Sequence, residues 1–259
     1  MTAKPGMDWT ITLTFGEGAN SYFRMQHVGE LWSRGLNMKE LKALKRAYDE
    51  AGYTTELHDL VEYLNPDITE DNVQDAGVLV VRGGLRAVCD PDELYVEQRA
   101  LDHDKKVKMF GGVKNKKARY NLCFSDEGQE PDYEAGISRV VPYESVPLTT
   151  KLRDYLCAQC DLFEGMNMQC EGNYYYAPSC GIGYHGDTQR KVVLGVRLGG
   201  SMSLCYEWYK NSQRCGERAE LMLHHGDLFF MTEKASGFDW KKRSRYTLRH
   251  AAGSGKYTQ

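Results

Sequence analysis

The chain contains no long apolar run: nowhere in its 259 residues does a stretch approach the ~20 apolar residues of a bilayer-crossing helix. Its first segment, MTAKPGMDWT, also lacks the apolar core of a secretory leader. These absences predict an intracellular protein with no membrane partner. No charge of one sign dominates, since Lys and Arg number 33 against 36 Asp and Glu, for a net charge of −3. A global attraction to nucleic acid or to an anionic membrane is therefore missing, and any such contact has to be local. Internal repeats, low-complexity segments and Pro/Gly/Ser-rich linkers are absent as well. So is a second Cys or His pair at finger spacing. The Cys157-Ala158-Gln159-Cys160 spacing lets two thiolates reach one ion. It stands alone in the helical-looking run 152–163, however, and ordinary reduced helix thiols are expected there.

What is present fits a soluble globular chain, with 41% hydrophobic and 27% charged residues. That length suits one large domain, or one domain with an N-terminal extension. From Asn37 to Asn65 the pattern is helical. Asn37 with Glu40 three residues on forms a capping box, Leu41, Leu44 and Tyr48 lie at helical spacing, and Gly52 stops the run. A second short helix is expected over 55–64. The apolar run Ala76 to Val81 predicts a buried strand, and Asp90-Pro91 opens another helix with proline in its first turn.

From about residue 105 the texture changes to short strand-like runs separated by Gly, Pro, Asn and Asp, interrupted by one helix over 148–163. Strands are expected at 167–176, 181–187, 190–198, 202–210, 218–223, 227–233 and 244–250. Many short strands with glycine-rich turns predict a sandwich or barrel of the jelly-roll kind. The fold class is thus α+β: a jelly-roll core over 101–259 with flanking helices, and an N-terminal helical or mixed extension over 1–100.

Within this pattern, His185-Gly186-Asp187 places an imidazole and a carboxylate two residues apart at a strand end. Side chains alternate along a strand, so positions 185 and 187 share a face. Two His and one carboxylate on one face of an octahedral ion leave the opposite face open, the arrangement of non-haem Fe(II) oxygenases.

The wider context of this triplet resembles the AlkB-like Fe(II)/2-oxoglutarate dioxygenases. The elements are Asn173-Tyr174-Tyr175-Tyr176-Ala177-Pro178, Gly181 to Asp187, Val196-Arg197-Leu198-Gly199, and His225-Gly226-Asp227 to Met231. They follow the family's order of N-x-Y-x-P, H-x-D, S-L-G strand and G-D strand over about residues 105 to 253. The chain as a whole is similar to AlkB-like proteins of large DNA viruses and algae, which would place it in the cytoplasm or nucleus of a host cell. The resemblance implies a double-stranded β-helix. It also implies Fe(II) on His185 and Asp187, and oxidation of a substrate C–H or N-methyl group at the expense of O₂ and 2-oxoglutarate. Tyr176 falls where the family's tyrosine reaches the co-substrate, and Asn173 is offset by one residue from the family's asparagine.

The family's distal histidine is expected near residue 240, where this chain has Gly237-Phe238-Asp239-Trp240-Lys241-Lys242. Two frames repair the pattern. In one, Asp239 is the third ligand, and Arg243 and Arg249 form the family's R-x5-R pair that clamps 2-oxoglutarate. In the other, which is favoured, His250 completes the iron site and Lys256 holds the distal carboxylate. Because side chains alternate, Arg249 and His250 cannot both face inward without a bulge. His224 and His225 sit near a turn and suit solvated or capping roles. His27, His58 and His103 have no evident metal partners. Tyr206, Trp208 and Trp240 are either core aromatics or pocket walls, with the core the default place for aromatics on strands.

By the same resemblance the first substrate expectation is a nucleic-acid base flipped into a pocket. Local support comes from Lys105, Lys106, Lys108, Lys114, Lys116, Lys117 and Arg119, interleaved with Phe110 and Tyr120: either a phosphate-tracking hairpin for DNA or RNA, or a solvated basic hairpin flanked by the acidic run Asp126 to Glu134. Two alternatives stand beside it: an oxygenase of a protein side chain or small metabolite, and a catalytically decayed jelly-roll binding domain.

Overall fold

A computed structural model describes residues 7–22, 25–68 and 73–259. Residues 1–6, on which the expected absence of a leader partly rests, lie outside them. The N-terminal part forms β1 (Thr10–Gly16), β2 (Gly18–Asn20), β3 (His27–Gly29), α1 (Met38–Glu50), β4 (Thr55–Asp59), β5 (Gly77–Val81) and α2 (Pro91–Arg99). The middle supplies β6 (Lys106–Met109), β7 (Gly112–Asn115), β8 (Tyr120–Ser125), β9 (Val140–Pro142), α3 (Pro147–Cys157) and β10 (Gln169–Tyr175). Then follow β11 (Gly181–His185), β12 (Val193–Gly199), β13 (Met202–Lys210), β14 (Gln213–Arg214), β15 (Ala219–Leu223) and β16 (Leu228–Met231). The one-turn helix α4 (Glu233–Ser236), β17 (Thr247–Gly253) and the short α5 (Gly255–Thr258) complete the chain.

Local signals explain the helices. The capping box at α1 is closed both ways: Asn37 Oδ1 accepts from Glu40 N at 3.0 Å, and Glu40 Oε2 accepts from Asn37 N at 2.9 Å. Leu41, Leu44 and Tyr48 are buried, and Gly52 ends the run with φ at 86°. At α2, Asp90 caps and Pro91 opens the first turn.

Two expected helices change. Residues 55–59 form a strand instead, because β4 pairs with β5 with Leu57 opposite Leu79, and inter-strand pairing outweighs a weak helical preference. A 3-10 turn follows over Leu60–Tyr63. Helix α3 stops at Cys157, and extended backbone at Cys160 turns the chain so that Phe163 enters the core. Cys157 meets the Met168 sulfur at 3.9 Å, and the cysteines are free thiols.

Two antiparallel sheets dominate. The larger has eight strands in the order β4-β5-β16-β12-β1-β10-β8-β9, with only the β8–β9 edge pair parallel. The second holds β11-β17-β13, with β14 and β15 both pairing β13. Between β10 and β13 the chain changes sheet at every strand. Strand β15 stays in the second sheet, β16 returns to the first, and β17 goes back to the second.

The division expected at residue 100 does not appear in this topology. Strand β1 lies between β10 and β12, pairing Thr12 with both Asn173 and Arg197, and β5 pairs along β16. Strands β1, β4 and β5 of the first hundred residues therefore belong to the same sheet as β10, β12 and β16, and the described part of that segment is mixed, the second of the two expectations.

Alternation then fixes what the large sheet shows to each side. Ile11, Leu13, Phe15, Leu194, Val196 and Leu198 share one core with Leu41 and Leu44 of α1, Leu94 of α2, and Leu152 and Leu156 of α3. The opposite face, with Thr12, Thr14, Asn173, Val193 and Arg197, turns toward the second sheet and lines a cavity. Among the described residues, no helix is long and apolar enough to cross a membrane.

Candidate metal centre

Strand β11 ends at His185, and across the ladder from it stands His250 of β17. A register shift between Ile182 and His185 sets this pairing, while β17 runs regularly against β13, with Arg249 opposite Glu207 and His250 opposite Tyr206. His250 accordingly points inward and Arg249 outward, as alternation requires. Asp187 follows the strand end, tied to α4 by its N–H donating to Ser236 O at 2.9 Å.

The three side chains converge. Asp187 Oδ1 lies 3.7 Å from His185 Nε2 and 3.7 Å from His250 Nε2, and the imidazole centroids are 4.5 Å apart. Metal–ligand bonds of about 2.1 Å meeting at right angles put neighbouring donors roughly 3 Å apart, so a small inward movement brings all three onto one ion. Among the described residues, this is the one group of three or more His, Cys, Asp or Glu arranged to hold a metal.

Neighbouring groups fix the ligands. His185 Nδ1 sits 2.8 Å from Gly183 O, which holds the ring proton there and leaves the Nε2 lone pair facing Asp187. Asp187 Oδ2 accepts from Arg190 Nε at 2.8 Å, so Oδ1 remains for the imidazoles. Gly186 between the ligands is a steric necessity: a Cβ there would lie 2.2 Å from Gly237 O and 2.6 Å from the Trp240 ring.

Charge states also suit a metal. Burial lowers the His185 pKa, and burial together with the neighbouring His185 lowers that of His250 to about 3. Burial pushes Asp187 up, but Arg190, His250 and His185 together outweigh it and bring the carboxyl to about 2. Two neutral imidazoles and one carboxylate therefore stand ready at neutral pH.

A pH dependence follows. Unfolded imidazoles titrate near 6.5, so between about 6.5 and the folded values the unfolded chain binds more protons, and stability falls as pH falls. His103, lowered to about 4 chiefly by burial, adds to this. Urea midpoints of the metal-free protein are expected to drop steadily from pH 7 to pH 4.5. The Asp187 carboxylate acts below that window, its contribution being lost only as pH falls from the unfolded value toward about 2. A midpoint that is flat over pH 7 to 4.5 would show that these histidines are not buried as neutral groups.

A cavity of about 60 Å³ adjoins the triad. Its wall includes Arg197, 1% exposed, whose Nε and Nη1 have no hydrogen-bond partner, and Thr12, whose hydroxyl also has none. Burial lowers the Arg197 pKa to about 10, although Tyr175 and Asp227 oppose the shift.

The other expected site residues divide. Asn173 lines the cavity, its Oδ1 accepting from Arg119 Nε and from Asn121 Nδ2 at 2.8 Å. Tyr176 does not line it: alternation on β10 turns 173 and 175 inward, and the Tyr176 hydroxyl instead donates to Lys117 O at 3.0 Å while its ring stacks on Tyr120. Arg249 lies on the outer face, its guanidinium 3.9 Å over the Tyr209 ring. Lys256 is exposed on α5, its ammonium 5.5 Å from the Tyr257 ring, because the chain turns away from the cavity after Gly253. Asp239 is held by Lys234 Nζ at 2.8 Å and stands apart from the triad.

Elsewhere, His225 accepts from Gly199 N at 2.8 Å and meets Asp92 at 2.9 Å, while His224 pairs with Ser201, as expected of turn residues. Trp208 is a core residue donating to Leu60 O at 2.7 Å. Arg197 carried a signal that went unused as a site: it is the lone charged residue in the apolar run Val192 to Gly199.

No protein-family model matches the chain. It is 41% identical over 252 residues to "uncharacterized protein R156" of Acanthamoeba polyphaga mimivirus, an alignment covering 96% of this chain and 98% of the relative. The chain belongs to the family of that mimivirus protein.

Proposed function

We propose that the protein is an Fe(II)- and 2-oxoglutarate-dependent dioxygenase of the AlkB-like kind, hydroxylating or demethylating a nucleic-acid base. The observation that carries this is the convergence of His185, Asp187 and His250 beside a cavity whose wall holds an unpaired guanidinium. The donor set fits ferrous iron, and the unpaired polar atoms fit a carboxylate-bearing co-substrate. Bound there, Fe(II) supplies the point where O₂ and the 2-oxo acid react. The protein holds the imidazoles neutral, fixes Asp187 through Arg190, and excludes bulk water with Ile182, Leu204, Phe229 and Met231.

In this reading β10 to β13 and β15 to β17 are strands of a double-stranded β-helix. Strand β1, from the other end of the chain, takes the place between β10 and β12.

The nucleic-acid part rests on the β6–β7 hairpin. Lys105, Lys106, Lys114 and Lys117 are exposed on or beside it, and Arg119 reaches Asn173 at the cavity wall. Its tip, Phe110-Gly111, has φ of 49° and 77°. Such a turn favours Asn-Gly, and a phenylalanine in it costs roughly 1–2 kcal/mol. Phe110 is nevertheless 89% exposed, which suits an aromatic that stacks on a base. One lysine, Lys116, falls out of the expected basic face, while Lys108 stays exposed. Lys116 is buried against Asn121 Oδ1 at 3.1 Å, and Lys108 is engaged by Glu134 O.

Anaerobic addition of Fe(II) and 2-oxoglutarate is expected to raise the visible charge-transfer band of a chelated 2-oxo acid. Admitting O₂ should then release CO₂ and succinate. His185→Ala is expected to lose both, and a wild-type protein giving neither removes the oxygenase assignment. For the substrate, single-stranded oligonucleotide should bind in a salt-dependent way. Replacing Lys106, Lys114 and Lys117 by Glu should flatten the plot of log K against log salt by about two units. Salt-independent or absent binding moves the substrate to a protein side chain or small metabolite.

A further inference from the structure

Resting on the oxygenase reading, we propose that the distal carboxylate of the 2-oxo acid is held by Arg197 of β12, with the Thr12 hydroxyl of β1 beside it. No residue near the C-terminus takes part in this contact.

Buried charges are paired or serve a ligand, because desolvating an unpaired guanidinium is costly. Arg197 is fully buried, and its Nε and Nη1 donate to nothing in the protein. The obvious counterion is spent elsewhere: Asp227 pairs with Arg82 and accepts from Gly83 N at 2.9 Å and His224 N at 2.9 Å. The second arginine of the wall, Arg190, is already committed, with Nε on Asp187 Oδ2 at 2.8 Å, Nη1 on Thr14 Oγ1 at 3.0 Å and Nη2 3.7 Å from Glu171.

Register places Thr12 directly opposite Arg197, and the Thr12 hydroxyl is likewise without a partner. A planar fork with free N–H groups and an adjacent free hydroxyl match the two oxygens of a carboxylate. The guanidinium and the His–Asp–His group line one small cavity, as a short diacid chelating metal at one end and ion-paired at the other requires. The arginine therefore comes from a central strand. Arg249 and Lys256, the cations expected from the last strand and its turn, lie outside the cavity.

The test compares 2-oxoglutarate with 2-oxovalerate, which carries a methyl group where the distal carboxylate would be. Mn(II) stands in for iron, and binding is read by calorimetry and by the Mn(II) resonance signal. Wild type is expected to prefer 2-oxoglutarate by a hundredfold or more. Arg197→Met should reduce the preference to a few-fold at most, with Mn(II) affinity unchanged. Because Arg197→Met removes an unpaired buried charge, it should also raise the melting temperature of the metal-free protein, and 2-oxoglutarate should no longer raise it further. Arg197→Lys should recover part of the preference. If Arg197→Met keeps the wild-type preference, or Arg119→Met abolishes it instead, the assignment to Arg197 is overturned while the metal centre stands. If wild type binds Mn(II) but neither acid, the inference falls and the 2-oxo acid part of the reading falls with it.

Discussion

Asp187→Ala is expected to abolish metal binding and 2-oxoglutarate consumption, and to destabilise the metal-free protein by about 3–5 kcal/mol. The two effects come from the two carboxylate oxygens. Oδ1 faces both imidazoles at 3.7 Å, so its loss removes the ligand that joins them. Oδ2 accepts from Arg190, which is 7% exposed, and its loss leaves a buried guanidinium with only Thr14 and the more distant Glu171. Asp187→Asn separates the two. It preserves the shape and can still accept from Arg190, so it should cost less stability, yet it lacks the charge a divalent ion needs. Mn(II) titration and urea unfolding of both variants read the difference. Metal affinity should fall in each by more than the roughly 10–100-fold that loss of a supporting residue costs. An Asp187→Asn protein that binds Mn(II) like wild type takes Asp187 out of the ligand set.

The legible parts of this chain were those written in short-range chemistry. The Asn37–Glu40 box, the Asp90-Pro91 start and the apolar run to Val81 each depend on residues within one turn or one strand, and each formed where expected. Residues 185 and 187 also came together, because two positions apart on a strand end is a local relation. Choosing between Asp239 and His250 required knowing what each would otherwise touch. Lys234 neutralises Asp239, a contact made five positions back through a helical turn, whereas His250 meets His185 only because β11 and β17 pair.

Tyr176 and Arg249 fit the family pattern by spacing, which says nothing of the face each position takes, although for Arg249 the conflict with His250 is already visible in the alternation of the strand. Alternation from Asn173 already turned 176 outward, and alternation from His250 did the same to 249. Arg197 needed the opposite inference, that a lone charge in an apolar strand is buried for a reason. Strand β1 was the largest omission. Its Thr-Ile-Thr-Leu-Thr-Phe alternation is a plain strand signal, but its partners lie more than 150 residues away, and nothing local names them.

That omission leads to the second large effect. The fragment 101–259, which contains all three candidate metal ligands, is expected not to fold alone. Removing β1 deletes Ile11, Leu13 and Phe15, each 0% exposed, and opens the sheet at its centre, leaving β10 and β12 as unpaired edges. Removing β5 deletes Val78, Leu79, Val80 and Val81, also 0% exposed, and strips β16 of its outer partner. These buried side chains contribute roughly 10–20 kcal/mol in all, against the 5–15 kcal/mol or so by which a domain is ordinarily stable. Circular dichroism and amide NMR should therefore show no cooperative melt and no dispersed spectrum for the fragment, whereas the full chain shows both. A fragment that melts cooperatively would mean that β1 is an addition to a complete domain. Even then Thr12 and Thr14 would be missing from the cavity wall, and Arg190 would lose the hydroxyl that accepts from its Nη1. Metal binding by such a fragment should be weaker than in the full chain, because the arginine that orients Asp187 would itself be less firmly held.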